Sequence, residues 1–365
     1  MVKNKLSRIL HQISNETPIS REAATDILSH ETDMISLLSA VYPLRKKYYN
    51  KQVRIHILNN SQNGHCPEDC HYCVQAKDSK VPIEKYTKKD EEQLFKEAEN
   101  AYKKGAFRYC MVFSGRGPSK KRVEFLSNVI RKIKKEIPIE ICLSPGLISS
   151  NDAKLLAEAG LDRYNHNLNT SEKNYPNICT THTFQDRLNT LSNVHEHNIS
   201  ICSGMIVGMG ESDNDIIDVA FKLKELNVKS IPINFYLHME GNQLGKKPMI
   251  SAEKCCKIVG LFRAVHPSAE IRLAAGRELY LGDLQPMALM AANSVFMDGY
   301  LNVNGSSIHD TIHMIELAGF TIDADIDLDN LKASANTFSA IQDLNSKYSP
   351  RLKSKEELKP FESVA

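Results

Sequence analysis

Three cysteines lie close together in one short stretch of the chain. Cys66, Cys70 and Cys73 fall within the eight residues CPEDCHYC, with the spacing C-x3-C-x2-C. Thiolates are soft ligands that hold iron–sulfur clusters, and a [4Fe–4S] cube normally takes four of them. Three ligands from one loop leave one iron without a protein ligand, and an open iron can bind a small molecule. The spacing therefore predicts a cube that takes part in chemistry.

A zinc knuckle is the alternative for this loop, because His65 and His71 lie beside the cysteines. Zinc sites usually combine two C-x2-C or C/H pairs that are some distance apart in the sequence. The sequence contains no second pair of that kind. The spacing therefore favours an iron–sulfur cluster over a zinc ion.

A second group of reactive residues lies on predicted strands. Side chains of a strand alternate between its two faces. Cys110, Cys142, Cys202 and Arg272 each lie on the face opposite the bulky apolar residues of their strand. In a closed barrel the bulky apolar faces pack against helices, so these four side chains should converge in the lumen. A lumen is usually filled by Val, Ile and Leu, and a polar lumen indicates a bound group.

The alternative for each of these cysteines is a packing role in the core without any ligand, since free cysteine often packs as a small hydrophobe. That explanation suits any one of them taken alone. It explains less well why three cysteines share one phase with Arg272, whose guanidinium stays charged. A buried guanidinium needs acceptors or an anionic group beside it.

Carboxamides and glycines mark the ends of other strands. Asn165, Asn167 and Asn169 alternate along the fourth strand, and Asn234 lies on the sixth. They suit a neutral ligand with amide or urea groups, or ribose hydroxyls. Turn and capping roles are the alternative, and they explain one Asn better than a row. The turns 114–118 and 206–211 contain glycines that let the backbone approach a ligand.

Composition narrows the class of protein. The chain has 365 residues, of which 42% are hydrophobic and 25% charged, as in ordinary globular proteins. A net charge of +2 and the lack of long apolar runs argue against nucleic-acid and membrane partners. Nine cysteines, with no recognisable export signal, fit a reducing compartment. We therefore expect a cytoplasmic protein.

These residues need a scaffold that brings several strand ends together. From Val53 onward, short apolar strands alternate with amphipathic helices in eight units. This order predicts an α/β fold, a (β/α)8 TIM-type barrel with N-terminal helices and a C-terminal extension. The cysteine loop follows the first strand, at the face where barrel active sites lie. The strands are expected at 53–58, 107–113, 139–144, 161–167, 199–207, 230–236, 270–275 and 293–297.

Three segments are expected along the chain. Residues 1–45 form an N-terminal helical segment, residues 46–325 form the barrel, and residues 326–365 form a C-terminal helix and tail. The last segment is charged and poor in large apolar residues, which is typical of a peripheral extension.

The chain closely resembles the biotin synthase family of the radical S-adenosylmethionine (SAM) superfamily. C-x3-C-x2-C alone would indicate only the superfamily, but further stretches match in order over about residues 55–300. Their combination is highly specific. The matching stretches are NGHCPEDCHYC, RYCMVFSGRGP, ICLSPG, DRYNHNLNTS, ICSGMIVGMGES, IPINFYLHMEGNQL and IRLAAGREL.

The resemblance implies a homodimeric enzyme that inserts sulfur into dethiobiotin to form biotin. A SAM-derived 5′-deoxyadenosyl radical would carry the chemistry, so no acid–base residue is assigned as catalytic. It also implies a small electron-donor protein of the flavodoxin or ferredoxin type. The implied ligands are Cys66, Cys70 and Cys73 for a [4Fe–4S] cluster, and Cys110, Cys142, Cys202 and Arg272 for a [2Fe–2S] sulfur donor.

The ligand contacts follow from the same resemblance and from the strand ends. SAM is expected near Tyr72, Ser114, Gly115, Gly117, Asn167, Asn169, Val207, Gly208 and Gly210. Dethiobiotin is expected near Asn165, Asn167 and Asn234.

Some positions depart from the family pattern. Asn169 replaces a common Asp, Gln62 a common Lys, and Asn302-Val303 a Thr pair. Cys179, Cys255 and Cys256 match no ligand position, and we interpret them as structural.

Two other functions remain open at this point, a radical SAM paralogue with another small substrate and a non-enzymatic iron–sulfur sensor or carrier.

Overall fold

Eight parallel strand positions, here called staves because one of them is interrupted, close into a barrel. This confirms the predicted fold class. The computed structural model describes residues 2–328 and 348–361, with side chains from residue 7. Each stave pairs with the next along the chain, and the first pairs with the last through Arg54 and Ser294. The strands are β1 Gln52–Gln62, β2 Arg108–Phe113, β3 Glu140–Ser144, β4 Arg163–Asn165, β5 Ser200–Cys202, β6 Met205–Val207, β7 Ser230–Phe235, β8 Glu270–Leu273 and β9 Ser294–Met297.

The helices cover the outside of the barrel, and most begin at a Ser, Thr or Asp cap. Thr183 and Ser212 each form a capping box with the Asp three residues later. No described helix is long and apolar enough to cross a bilayer. The helices are α1 Val2–Ser14, α2 Arg21–Leu28, α3 Met34–Tyr49, α4 Glu91–Lys103, α5 Lys120–Glu136, α6 Ser150–Glu158, α7 Phe184–Glu196, α8 Asp213–Glu225, α9 Ala252–Val265, α10 Arg277–Leu281, α11 Gln285–Ala288, α12 Ile308–Leu317 and α13 Lys355–Leu358.

The fifth stave is broken, whereas the sequence suggested one strand over 199–207. β5 and β6 both pair with β7, and Gly204 lies between them. A Cβ atom on Gly204 would lie 1.9 Å from the carbonyl oxygen of Pro232. The chain can pass this point only with glycine, and the close approach interrupts the regular ladder.

The ends of the chain extend the barrel in two ways. α3 crosses residue 45 and packs its buried Leu37, Leu38 and Val41 toward α9. A strand that the sequence did not predict, β10 at Thr321–Ile322, pairs in parallel with the start of β1. Most of the predicted C-terminal helix and tail lies outside the described residues. The division into three segments remains a prediction.

Candidate active site

The cysteine loop follows β1 at the C-terminal end of the barrel. Cys66, Cys70 and Cys73 are all partly exposed. The segment between β4 and α7 packs against the loop and fixes its backbone, because the N–H of His71 donates to the carbonyl of Ile178 at 2.9 Å. The backbone around the cysteines is therefore fixed by contacts that do not depend on their sulfur atoms.

A buried carboxylate completes this attachment. Asp69 accepts from the backbone N–H groups of Thr180 and Thr181 at 3.0 and 3.2 Å. Burial raises the pKa of Asp69, but hydrogen bonds from Thr180 and its neighbours lower that pKa by more, so the carboxylate is ionised at neutral pH.

The three sulfur atoms of the loop are not gathered as the ligands of a single metal ion would be. Among the described residues, these sulfurs do not form a group whose ligand atoms all lie within 4.8 Å of one another. A tetrahedral zinc ion with bonds of about 2.3 Å would draw its ligand sulfurs to within about 4 Å. Burial raises the pKa of Cys73 to about 11, so its thiol loses its proton at neutral pH only when it binds a metal.

The four predicted lumen residues converge inside the barrel. Cys110 and Cys142 are directly opposite each other on β2 and β3. Cys202 packs in the same buried cluster as Cys110 and Cys142, and its sulfur lies 3.8 Å from Nη1 of Arg272. All four side chains are buried. The neighbouring Cys142 thiol lowers the pKa of Cys110, and the charges of Arg272 and Arg108 act in the same direction against the effect of burial.

Arg272 presents one edge of its guanidinium to the cysteines. Its Nη2 donates to the Ser230 hydroxyl at 2.8 Å and to the carboxylate of Glu270. Its Nε atom is buried without a partner, and its Cζ lies 5.0 Å from the Phe296 ring centre. An unpartnered buried donor beside three thiols is an observation that fits an anionic group in this space. The residues present therefore fit a cluster with thiolate ligands.

A layer of charged side chains closes the lumen below these cysteines, at the N-terminal ends of the strands. Glu270 accepts from Nη1 of Arg108 at 2.8 Å, and Arg108 also donates to Glu140 at 2.7 Å. Burial raises the pKa of Glu270, but Arg108, His56 and Arg272 lower it by more, so the carboxylate remains ionised. The charged members of this layer are Arg54, Arg108, Glu140, Arg163 and Glu270. His56 lies among them, and burial lowers its pKa, so this imidazole is neutral.

One cavity of about 350 Å³ connects the two groups of cysteines. Its lining includes Cys73 and Tyr72 at one end and Cys110, Cys142 and Arg272 at the other. The carboxamides lie between these ends, and Asn165, Asn167, Asn169 and Asn234 all line the cavity.

Internal hydrogen bonds orient the carboxamides. Asn169 donates to the Tyr72 hydroxyl at 2.6 Å. Oδ1 of Asn167 accepts from the N–H of Gly204 at 3.0 Å and from Asn165 at 3.1 Å. Asn234 donates to the Met205 carbonyl at 3.2 Å. The side chains are therefore fixed before any ligand binds.

The glycine turns contact the site less directly. Burial raises the pKa of Cys66, and the nearby backbone N–H groups of Glu68 and Gly115 oppose that rise. Glu211 fixes the second turn by accepting from the N–H groups of Gly208 and Met209 at 2.6 and 2.8 Å. Six residues predicted to contact SAM lie outside the cavity lining, namely Ser114, Gly115, Gly117, Val207, Gly208 and Gly210.

Comparisons with known proteins agree with this geometry. Residues 62–223 match the model of the radical SAM superfamily, and residues 232–321 match that of the biotin and thiamin synthesis associated domain. A biotin synthase of Magnetococcus marinus is 49% identical over 80% of this chain and 91% of its own. A biotin synthase of Acaryochloris marina is 48% identical over 85% of this chain and 90% of its own.

The chain belongs to the biotin synthase family. It is thus a radical SAM sulfurtransferase, whose cofactors are SAM, a [4Fe–4S] cluster and a [2Fe–2S] cluster.

Solved structures support the fold of this biotin synthase family member. A methylornithine synthase has a TM-score of 0.74 with 17% identity, over 89% of this chain and 99% of its own. The FeFe-hydrogenase maturase of Carboxydothermus hydrogenoformans has a TM-score of 0.77 with 17% identity, over 90% and 82% of the two chains. At such identities the likeness concerns the barrel alone.

The departures from the family pattern lie near the cavity. Asn302 and Val303 line it, and Asn302 exchanges two hydrogen bonds with Asn63 at 2.6 and 2.8 Å. Gln62 donates to the Ser114 carbonyl at 3.1 Å, and its own carbonyl oxygen is buried without a partner. Cys255 and Cys256 are fully buried in α9, a helix of the layer outside the barrel.

Sequence reasoning missed Arg187, a buried residue of α7 that lines the cavity. Its guanidinium donates to the Asn167 carbonyl at 2.8 Å and also contacts the Tyr175 hydroxyl. A helical arginine is normally exposed, and no spacing relates Arg187 to the strand ends. Only the folded chain shows that it holds the carboxamide row in place.

Proposed function

We propose that this enzyme forms biotin from dethiobiotin in the cavity between its two groups of cysteines. Cys66, Cys70 and Cys73 hold the [4Fe–4S] cluster and leave one iron to SAM. Cys110, Cys142, Cys202 and Arg272 hold the [2Fe–2S] cluster. The observation that carries the proposal is the single cavity whose lining includes both Cys73 and the lumen residues Cys110, Cys142 and Arg272.

The protein's own residues position the reactants and exclude water. When bound, the first cluster supplies the electron that cleaves SAM, and the second supplies the sulfur atom. Asn167 and Asn169 offer carboxamides to SAM, and Asn165 and Asn234 offer theirs to the ureido group of dethiobiotin. The wall formed by Phe296 and Tyr300 is buried and largely apolar, so it keeps water from a reactive radical.

Two kinds of partner complete the proposal. The enzyme acts as a homodimer, as the family resemblance implies, and sedimentation equilibrium would measure this. A small flavodoxin- or ferredoxin-like protein supplies electrons, and the partial exposure of Cys66, Cys70 and Cys73 supports its access to the first cluster. Reduction of the reconstituted protein by such a donor, followed by absorbance, tests this step.

The decisive experiment separates the two clusters. After anaerobic reconstitution, Cys202→Ala should lose biotin formation and the [2Fe–2S] spectrum but still cleave SAM. The triple variant Cys66→Ala, Cys70→Ala, Cys73→Ala should lose SAM cleavage. Cys256→Ala, which is buried in α9, is the matched control and should keep both activities.

Two results would contradict the proposal. Normal biotin formation by Cys202→Ala would remove the sulfur-donor role and favour a paralogue with another substrate. 5′-Deoxyadenosine from the triple variant would remove the first ligand assignment.

A further inference from the structure

Cys179 lies behind the cysteine loop, in the segment between β4 and α7. Its sulfur is 3.8 Å from the sulfur of Cys70. Cys179 is buried, whereas Cys70 is partly exposed. The two sulfur atoms are in contact, so a small rotation of either side chain would bring them to bonding distance.

The backbone holds these two cysteines opposite each other. The bond from His71 N–H to the Ile178 carbonyl, 2.9 Å long, joins the residues next to them. Asp69 binds Thr180 and Thr181 on the other side, so the two segments run antiparallel. A disulfide needs Cα atoms about 4.4–6.8 Å apart, and the sulfur–sulfur contact of 3.8 Å together with the adjoining backbone bond shows that the two residues lie side by side.

His182 shows why this group is not arranged for a metal ion. Ligand atoms of Cys70, Cys179 and His182 all lie within 4.8 Å of one another. Nε2 of His182 lies 2.9 Å from the guanidinium of Arg187, which can only donate, so Nε2 accepts. Nδ1 therefore carries the hydrogen, and it faces Glu68 at 2.6 Å and the Cys179 sulfur at 3.2 Å. A nitrogen that carries hydrogen has no free lone pair for a metal.

We propose that Cys179 is the resolving thiol for Cys70 when a peroxide reaches the cysteine loop. Cys70 gives up its thiol proton and its sulfur attacks one peroxide oxygen, so that an S–O bond forms, the O–O bond breaks, and the departing oxygen takes up the proton and leaves as water. Cys70 is thereby oxidised by two electrons to a sulfenic acid. The Cys179 sulfur displaces the remaining hydroxyl, so that an S–S bond forms and the S–O bond breaks. Two thiols and one peroxide give one disulfide and two waters.

The consequence for the enzyme rests on the proposed role of Cys70 as a cluster ligand. A disulfide takes Cys70 out of the ligand set, but thiol reductants can restore it. Without a resolving thiol, a sulfenic acid is oxidised further to a sulfinic acid, which such reductants cannot restore. Cys179 thus makes oxidative loss of the first cluster reversible.

Peptide mapping of the whole protein tests the proposal. The anaerobically reconstituted enzyme is treated with hydrogen peroxide until its cluster absorbance is lost. Free thiols are blocked with iodoacetamide, and a non-reducing digest is analysed by mass spectrometry. We expect a peptide that links Cys70 to Cys179 and disappears with dithiothreitol, after which the protein takes up iron and sulfide again.

Matched variants sharpen the test. Cys179→Ser should give no linked peptide, should carry Cys70 as sulfinic acid, and should lose most of the renewed iron uptake. Cys256→Ser is the control for a buried cysteine elsewhere, and it should behave like the unsubstituted protein. If Cys179→Ser does not fold, the peptide map of the unsubstituted protein decides alone.

Three outcomes would overturn the proposal. Cys70 linked to Cys66 or Cys73 is one, and oxidised Cys70 beside fully alkylated Cys179 is another. The third is one zinc ion per chain bound at these thiols, which protects them from peroxide. A wrong cluster assignment would be seen separately, because Cys70→Ala protein would then take up a complete first cluster while the linked peptide still formed in the unsubstituted enzyme.

Discussion

At the scale of single residues, Glu270 is the buried anion that two buried arginines share. It accepts from both Arg108 and Arg272, and all three side chains are buried. Glu270→Gln would leave two buried guanidinium groups without their shared anion. Breaking a buried ion pair in this way costs about 3–5 kcal/mol. We expect a loss of that size in the free energy of unfolding, measured by urea denaturation.

The control for this prediction is an exposed ion pair. Glu225 pairs with Lys222 on the surface of α8, and Glu225→Gln should change stability by less than about 0.5 kcal/mol. Equal stability of the two variants would show that Glu270 does not compensate the buried arginines.

The cluster residues were accessible to sequence reasoning because a strand repeats every two residues. Once the apolar phase of β2, β3 and β8 was recognised, Cys110, Cys142 and Arg272 had to lie on the opposite face. Arg187 and His182 were not accessible in this way. Arg187 lies in a helix and His182 in a loop. In neither does the sequence period predict which side chains face the barrel lumen.

At the scale of elements, His266 joins two helices of the outer layer. It ends α9 and donates from Nε2 to the Ala220 carbonyl in α8 at 2.9 Å. Burial lowers the pKa of His266 to about 3, although the bond to Ala220 opposes this and nearby Lys224 and Arg263 add to it. The folded chain therefore keeps this imidazole neutral, while the unfolded chain protonates it below about pH 6.5.

The sign of the pH effect follows from proton binding. Between about pH 6.5 and 3 the unfolded state binds one more proton at His266, so stability falls as the pH falls. The slope from this residue is about 1.4 kcal/mol per pH unit. In urea unfolding between pH 6 and 4, His266→Gln should remove that part of the slope. An unchanged slope would contradict the assignment.

Gly204 determines the shape of the fifth stave. Because its Cβ would overlap the Pro232 carbonyl, Gly204→Ala should separate β5 and β6 from β7. Overpacking of this kind costs about 1–3 kcal/mol. Circular dichroism during thermal unfolding measures the loss. Gly245→Ala is the control, since its Cβ would meet nothing within 4 Å, although its positive φ gives a smaller cost.

This break shows where sequence reasoning stops at the element scale. Residues 199, 201, 205 and 207 are apolar and share one alternating phase, so periodicity predicts one strand over 199–207. The strand is interrupted because Gly204 packs closely against Pro232 of β7. That contact forms only when the barrel closes, so the sequence of this segment does not reveal it. β10 was missed for a related reason, because two residues are too short to show a period.

At the scale of the whole molecule, the N-terminal helices act as part of the barrel's outer layer. Leu37 of α3 is fully buried, and its side chain packs directly over Gly260 of α9. Leu37→Ala would leave a cavity in this interface, which costs about 2–5 kcal/mol. We expect that loss in urea unfolding, as a single transition with the barrel.

Ile35 provides the control on the same helix. Its side chain is 58% exposed, so Ile35→Ala should change stability by less than about 0.5 kcal/mol. If Leu37→Ala instead produced a separate early transition, residues 1–45 would fold independently of the barrel.

The charged layer at the base of the lumen also limits how molecules can move through the enzyme. Arg108, Glu140 and Glu270 are joined side to side across the barrel axis, so the lumen is closed at its N-terminal end and ligands enter from the C-terminal face. The ligand that binds deepest in the cavity must bind first and dissociate last. Dethiobiotin, beside the lumen cysteines, would therefore load before SAM. Methionine and 5′-deoxyadenosine would dissociate before biotin, and each turnover would follow a fixed order of binding and release.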